Sequence, residues 1–414
     1  MPSTNQARRY LWTLLGVTAG AILAIAALNF TADPFCVFGT PRRAGLNDRI
    51  PNTSGFDRMA KPYEILRVQP RTALLGSSTA HSGFRPLAEW ETALPRPAYN
   101  YALLGASFHE VRLSLTHALR ECPVETVIMV ADFFAFNVHY PDNERFSTGR
   151  LLAATHRSWP GFLGSDLAAF AIGKDALGFS WKTISASRNA PRSASASSAQ
   201  LQDYPWREHF RNCERSYLQK WFPPPSRAYE FTSLQSGFDR LADYDAALRL
   251  CAERGVRLIV ICPPTHVRFQ EALASAGAWQ YCENWKRELA ARTRVQQGRS
   301  VPHGSVELWD FGLFNDTTAE PVPAAGAGSM RYFFDSAHFT PEFGRLVLDE
   351  ILGAAPPDAP HRGVRLDQVG IESHLANQRA ALRDFRAANP GVVADVRAGL
   401  GLGEDANIPP VASR

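Results

Sequence analysis

Between Tyr10 and Phe30 the chain runs for 21 residues without a charged side chain, and Arg8 and Arg9 stand directly before that run. Coiled as a helix, such a run spans roughly 31 Å, about the hydrocarbon thickness of a bilayer. It reads as a membrane anchor over 10–30 whose basic flank, residues 1–9, stays in the cytoplasm, with everything after Phe30 outside. A cleaved signal peptide is the alternative, because Ala24-Ile25-Ala26 offers small residues to a peptidase. The length of the run favours an uncleaved, single-pass anchor.

Past the anchor the apolar runs become short and regular. Thr72 to Leu75 ends at Gly76, Ala98 to Leu104 at Gly105, and Thr126 to Val130 is followed by Asp132. Val256 to Ile261 stops at Pro263-Pro264, and Val306 to Trp309 runs into Asp310. Apolar runs of this length bounded by turn residues suit strands buried on both faces. Helical patterns separate them. Ser107-Phe108-His109-Glu110 is a capping box opening a helix to about Arg120. Phe238 to Arg254 is amphipathic and stops at Gly255, and Thr340-Pro341-Glu342 supplies an N-cap, an N1 proline and an early acid. The alternation predicts an α/β fold with a parallel sheet.

That pattern divides the chain into an irregular stalk over 31–60, an α/β domain over 61–354 and a helical tail over 355–414. Residues 133–237 are too long for one crossover and read as a mostly helical insertion, with a mobile loop expected in Ser185 to Gln200. Ala324 to Ser329 is expected to be a second flexible loop, and the tail helix is placed at about Leu366 to Ala388.

Composition narrows the function classes. At 45% hydrophobic and 20% charged residues this is a folding chain. The net charge is only +4 and the basic residues form no stripe, so nucleic acid is not an expected partner. The six cysteines contain no Cys-x-x-Cys pair, which argues against a zinc ribbon or a thioredoxin-like site. Nothing like His-Glu-x-x-His occurs, and no metal is expected.

Ligands of open α/β sheets bind at the carboxyl ends of the strands, so the residues following each run carry the chemistry. These are Gly76-Ser77-Ser78-Thr79, then Gly105, then Asp132 with Asn137 five residues on, and Asp335-Ser336-Ala337-His338 before the last helix. Acyl transfer needs a nucleophile, a base, a group orienting the base, and oxyanion donors. The spacing of Asp335 and His338 lets the carboxylate meet Nδ1–H while Nε2 points outward, towards Ser78. Gly105 leaves its N–H unshielded beside a helix start. Each feature alone is an ordinary turn, cap or hydrogen-bonded histidine; their conjunction at successive strand ends makes the catalytic reading. His81 and the Pro264-Thr265-His266 segment could line the same face, with helix capping an equal account of His266. Phe133, Phe134 and Phe136 are expected in the core.

In that order, Gly76-Ser77-Ser78, Gly105 and Asp335-x-x-His338 resemble the SGNH/GDSL hydrolase superfamily. Ser77 stands where the family has Asp, so the nucleophile falls on Ser78. Phe339-Thr340-Pro341, Asp33-Pro34-Phe35 and Asp132-Phe133-Phe134-Ala135-Phe136 look like its membrane-anchored bacterial branch. The resemblance implies a three-layer, flavodoxin-like sheet, no cofactor, and an O-acyl esterase or transferase, acetyl being the expected group. The implied substrate is a cell-envelope polysaccharide in the periplasm, and some relatives work beside an integral-membrane acyl donor. Hydrolase and transferase stay open. The family's Gly-x-Asn-Asp block is absent; Val130-Ala131-Asp132 stands in its place, and Asn137 is left as the candidate third oxyanion donor beside Ser78 and Gly105. That departure keeps a second reading alive, a catalytically inactive glycan-binding or assembly subunit.

Overall fold

The computed structural model describes residues 4–50, 54–155, 164–189, 204–222, 228–235, 237–299, 304–324 and 327–402. In chain order the first helices are α1 (Thr4–Ala32), α2 (Asp57–Val68), α3 (Ser78–Gly83), α4 (Phe108–Glu121) and α5 (Thr148–Thr155). Next come α6 (Ser165–Ile172), α7 (Lys174–Asn189), α8 (Trp206–Trp221), α9 (Arg240–Glu253) and α10 (Val267–Ser275). The last are α11 (Trp279–Gln297), α12 (Pro341–Ile351), α13 (Ile371–Ala388) and α14 (Pro390–Gly399). The strands are β1 (Thr72–Leu75), β2 (Ala98–Asn100), β3 (Thr126–Val130), β4 (Arg257–Cys262), β5 (Val306–Asp310) and β6 (Val364–Arg365).

The chain forms two compact units, one from residues 1–67 with 147–195, the other from 68–146 with 196–414. In the first, α1 is long and apolar enough to cross a membrane. Its end is closed by Asp33, whose carboxylate accepts from the N–H groups of Phe38, Gly39 and Thr40 at 2.9–3.1 Å. Asn47 donates to Thr31 O and Pro41 O while accepting from Arg43 N. Phe35 packs among the rings of Phe56, Phe170 and Phe179. Residues 33–50 of the expected stalk are irregular, as turns and bends tied down by these bonds, whereas residues 57–60 belong to α2 and residue 61 falls inside that helix.

The second unit is built on a six-stranded sheet in the order β2-β1-β3-β4-β5-β6, parallel except for β6. Every residue of β1 and β3 is buried, as expected where helices cover both faces. Leu74, Ile128, Val130, Ile259 and Ile261 alternate onto one face against Phe84, just past α3, and Phe343, Val347 and Leu348 of α12. α4, α9 and α11 pack on β1, β4 and β5 respectively.

The expected insertion is not one body. Residues 147–195 belong to the first unit, whereas 196 onwards, with α8, belongs to the second. Residues 190–200 of the expected mobile loop, and 325–326 of the other, lie outside the described residues. The helix expected in the tail is present as α13, and the segment is tied to the sheet. Val364 pairs with Asp310 of β5, and His374 Nε2 of α13 meets Asp310 Oδ2 at 2.8 Å, an oxygen shared with Lys286 Nζ at 2.6 Å.

Candidate active site

The sheet reverses its order at β1, with β2 to one side and β3 to the other, and such a switch point opens a crevice at the strand ends. Ser78 is the first residue of α3, directly after the turn that ends β1. Beyond β2 the chain continues along that turn, Tyr101 N bonding Leu74 O and Leu103 N bonding Gly76 O, which brings the Gly105 turn alongside. Gly105 sits at φ +58°, a left-handed conformation that costs glycine little, and a Cβ there would lie 3.0 Å from Tyr140 Oη.

Asp335 and His338 lie on a tight loop closed by a bridge between Phe333 and Phe339. Phe334 N bonds His338 O, and His266 N bonds Ser336 O. The loop leads into α12, capped by Thr340 Oγ1 with Pro341 in its first turn. α12 sits close upon α3: a Cβ on Gly344 would fall 2.0 Å from Gly83 O, so a side chain there would push the two helices apart.

These elements bring together the three residues singled out in the sequence. Ser78 Oγ lies 2.7 Å from His338 Nε2, and His338 Nδ1 lies 2.8 Å from Asp335 Oδ2. Asp335 Oδ1 accepts from the Ala337 and His338 N–H groups at 2.8 and 2.9 Å, which fixes the carboxylate in its own loop. Burial pushes the Asp335 pKa upwards, but the His338 charge and these hydrogen bonds outweigh it and the net shift is down. For His338, burial pushes down, and the Asp335 charge and hydrogen bond reverse this to a net rise.

Ser77 is no rival for the base, because it is fully buried with its Oγ donating to Asp132 Oδ2 at 2.7 Å. Thr79 Oγ1 donates to the other oxygen, Asp132 Oδ1, at 2.7 Å. Asp132 thus grips the residues on either side of Ser78. Burial raises its pKa despite both hydroxyls. It stands at the N-cap position of the helical turn that follows but makes no side-chain bond to it.

Asn137 does not fill the missing oxyanion position. Its Nδ2 hydrogens go to Trp221 O at 2.8 Å and Ala228 O at 2.9 Å, and its Oδ1 accepts from His139 N and Glu230 N. The side chain ties together buried loops and has no donor left. His266 resolves as a cap: Nδ1 accepts from Arg268 N and Nε2 contacts Glu320 O. Burial holds its pKa down at about 4. Phe133, Phe134 and Phe136 are buried as expected.

The groups missed in the sequence come from α8. Tyr217 Oη donates to Asp335 Oδ2 at 2.9 Å and lies 3.1 Å from His338 Nδ1. One turn on, Lys220 Nζ lies 3.5 Å from the point a Cβ of Gly105 would occupy, and 5.5 Å from the centre of the Tyr140 ring. One and two turns back, Cys213 and His209 bring ligand atoms within 4.8 Å of Asp335, the metal-compatible grouping found among the described residues. It is a poor metal site, since both Asp335 oxygens are engaged by His338, Tyr217 and backbone N–H groups. Burial, with help from Asp335, also pushes the Cys213 thiol up to about 12. The only advance signal for α8 was its apolar spacing, which announces a helix and not what that helix touches.

The arrangement can take a proton from Ser78, hold it on His338 and stabilise the resulting imidazolium through Asp335. No protein-family model matches this chain, and no curated protein matches it in sequence.

Proposed function

We propose that the protein is a serine-dependent O-acyl esterase or acyltransferase of the SGNH type, acting on an envelope polysaccharide from a single-pass anchor. The observation that carries this reading is the continuous relay Ser78 Oγ–His338–Asp335, at 2.7 and 2.8 Å, at a strand-order reversal. The strand order β2-β1-β3-β4-β5 is that of flavodoxin-like doubly wound sheets and supports the same assignment.

In this mechanism Ser78 Oγ attacks the ester carbonyl carbon as His338 Nε2 takes its proton. The Ser78 and Gly105 N–H groups hold the oxyanion, and the Lys220 ammonium beside Gly105 supplies positive charge where a side-chain amide is lacking. The tetrahedral intermediate collapses to an acyl-Ser78 ester as His338 returns the proton to the leaving alkoxide. Water or a glycan hydroxyl, deprotonated by His338, then releases the acyl group. Arg8-Arg9 before the apolar run supports a periplasmic catalytic unit, within reach of an integral-membrane acyl donor.

The test is turnover of an aryl acetate by the full-length protein, with and without Ser78→Ala. Hydrolysis abolished by Ser78→Ala supports the reading. Absence of hydrolysis and of acyl transfer to a glycan acceptor in the wild type would instead favour the inactive binding subunit, to which the loss of the Asn137 donor points.

A further inference from the structure

Asn29 is an amide near the end of an otherwise apolar membrane-length helix, and it is fully buried. Its Nδ2 donates to Ala171 O at 2.9 Å, and its Oδ1 accepts from Ser180 Oγ at 2.8 Å. Ala171 is in α6 and Ser180 in α7, so one side chain pins both helices to the last turn of α1. Asn29 is the penultimate residue of the uncharged run, within roughly 2 Å of its end at the helical rise. The pinned helices are therefore level with the depth where hydrocarbon gives way to headgroups.

The residues next to those two bonded partners are Ile172 and Trp181. They are 44% and 70% exposed, and Phe30 on α1 at the same level is 55% exposed. Phe30 keeps a ring contact with Phe38, and a tryptophan with an apolar body and one N–H suits the headgroup layer. Lys174 and Lys182 are also exposed, on stems long enough to reach lipid phosphates, although Asp175 is exposed beside them. α6, with eight residues, is about 12 Å long and far too short to span the bilayer. A helix that short can meet a bilayer only from its surface.

We propose that the α6–α7 hairpin is an interfacial element, seated in the headgroup layer of the membrane that α1 enters, with Ile172 and Trp181 as its lipid contacts. Its occupant is the phospholipid surface, because the depth of the hairpin is set by hydrogen bonds to α1 itself. The hairpin would hold the membrane-proximal unit against the bilayer as a two-point attachment. The inference rests on α1 being a membrane anchor and is independent of the catalytic assignment.

The test uses full-length protein in phosphatidylcholine nanodiscs whose acyl chains carry bromine near the headgroup, near the chain end, or not at all. The emission lost on Trp181→Phe substitution isolates Trp181, and Trp12→Phe isolates a reporter inside α1. Loss of most Trp181 emission in the shallow-brominated discs, and less in the deep ones, is the expected result. Trp181 emission unaffected by either bromolipid while Trp12 is quenched would overturn the hairpin proposal alone; if shielded from aqueous iodide as well, Trp181 faces a protein partner. Failure of Trp12 to be quenched would instead remove the anchor on which the proposal stands.

Discussion

Ser78→Ala removes the hydroxyl that lies 2.7 Å from His338 Nε2, so labelling by a serine-directed fluorophosphonate should vanish in that variant. Ser77→Ala should still be labelled, at a stability cost of about 1–3 kcal/mol for the buried bond to Asp132. Labelling retained by Ser78→Ala and lost with Ser77→Ala would reverse the assignment. The His338 pKa, pushed down by burial but raised overall by Asp335, stands above 6.5, and the base must be neutral to work. The acid limb of kcat/KM should therefore fall above pH 6.5. Stability runs oppositely: the imidazolium–carboxylate pair contributes fully below pH 6.5 and is lost as pH rises through the raised folded value. Asp335→Asn removes both effects, and its activity should drop by about 10⁴-fold, the precedent of the serine-protease triad. A destabilised but fully active Asp335→Asn protein would take Asp335 out of the mechanism. Ser78, Asp335 and His338 were legible because each sits in a short motif whose local geometry is nearly determined by spacing. The grip of Asp132 on Ser77 and Thr79 was not, since it spans more than fifty residues and leaves no local trace.

Beyond that grip, a single helix, α8, supplies the groups around the relay that the sequence concealed. Its apolar positions Trp206, Phe210 and Trp221 are buried, and the stripe between them turns Tyr217 towards Asp335, 118 residues away. A contact at that separation depends on tertiary docking, which periodicity cannot report. Strands β1 and β3, by contrast, match their expected bounds, because an apolar run buried on both faces carries its own limits. Tyr217→Phe offers the measurement at this scale. Without the hydroxyl the Asp335 carboxylate loses a donor and becomes more basic, so it holds the imidazolium more tightly. The acid limb should shift upwards by roughly one pH unit or less, the equivalent of one hydrogen bond to a charged group. A limb unmoved or shifted down would show that Tyr217 serves packing alone.

Over the whole molecule, the position of α8 is secured from the far end of the chain. Glu214 of α8 is fully buried and takes a two-pronged contact from Arg268 at 2.8 and 3.0 Å, while Asp395 of α14 holds Arg268 from the other side at 2.8 Å. Arg268→Met strands the buried Glu214, while Asp395 keeps its second partner Arg211, and should cost about 3–5 kcal/mol in a denaturation midpoint analysis. A loss under about 1 kcal/mol would mean water replaces the guanidinium, as at an exposed pair. The apolar α1 predicts that the full chain fractionates with membranes, and an alkaline phosphatase fusion after Ala32 should be active; an inactive fusion would place the catalytic unit in the cytoplasm. The interleaving of the two units also sets a clock on biosynthesis. The unit begun by residues 1–67 is finished only when residue 195 leaves the ribosome, roughly 6–25 s later at ordinary elongation rates. During that interval Phe35 and Phe56 wait for Phe170 and Phe179, and β1 to β3 wait for β4. Two half-built cores are thus open together on a nascent chain already tethered by its front end. A ribosome stalled anywhere between residues 68 and 195 would leave neither able to close, so holding chaperones matter throughout that stretch.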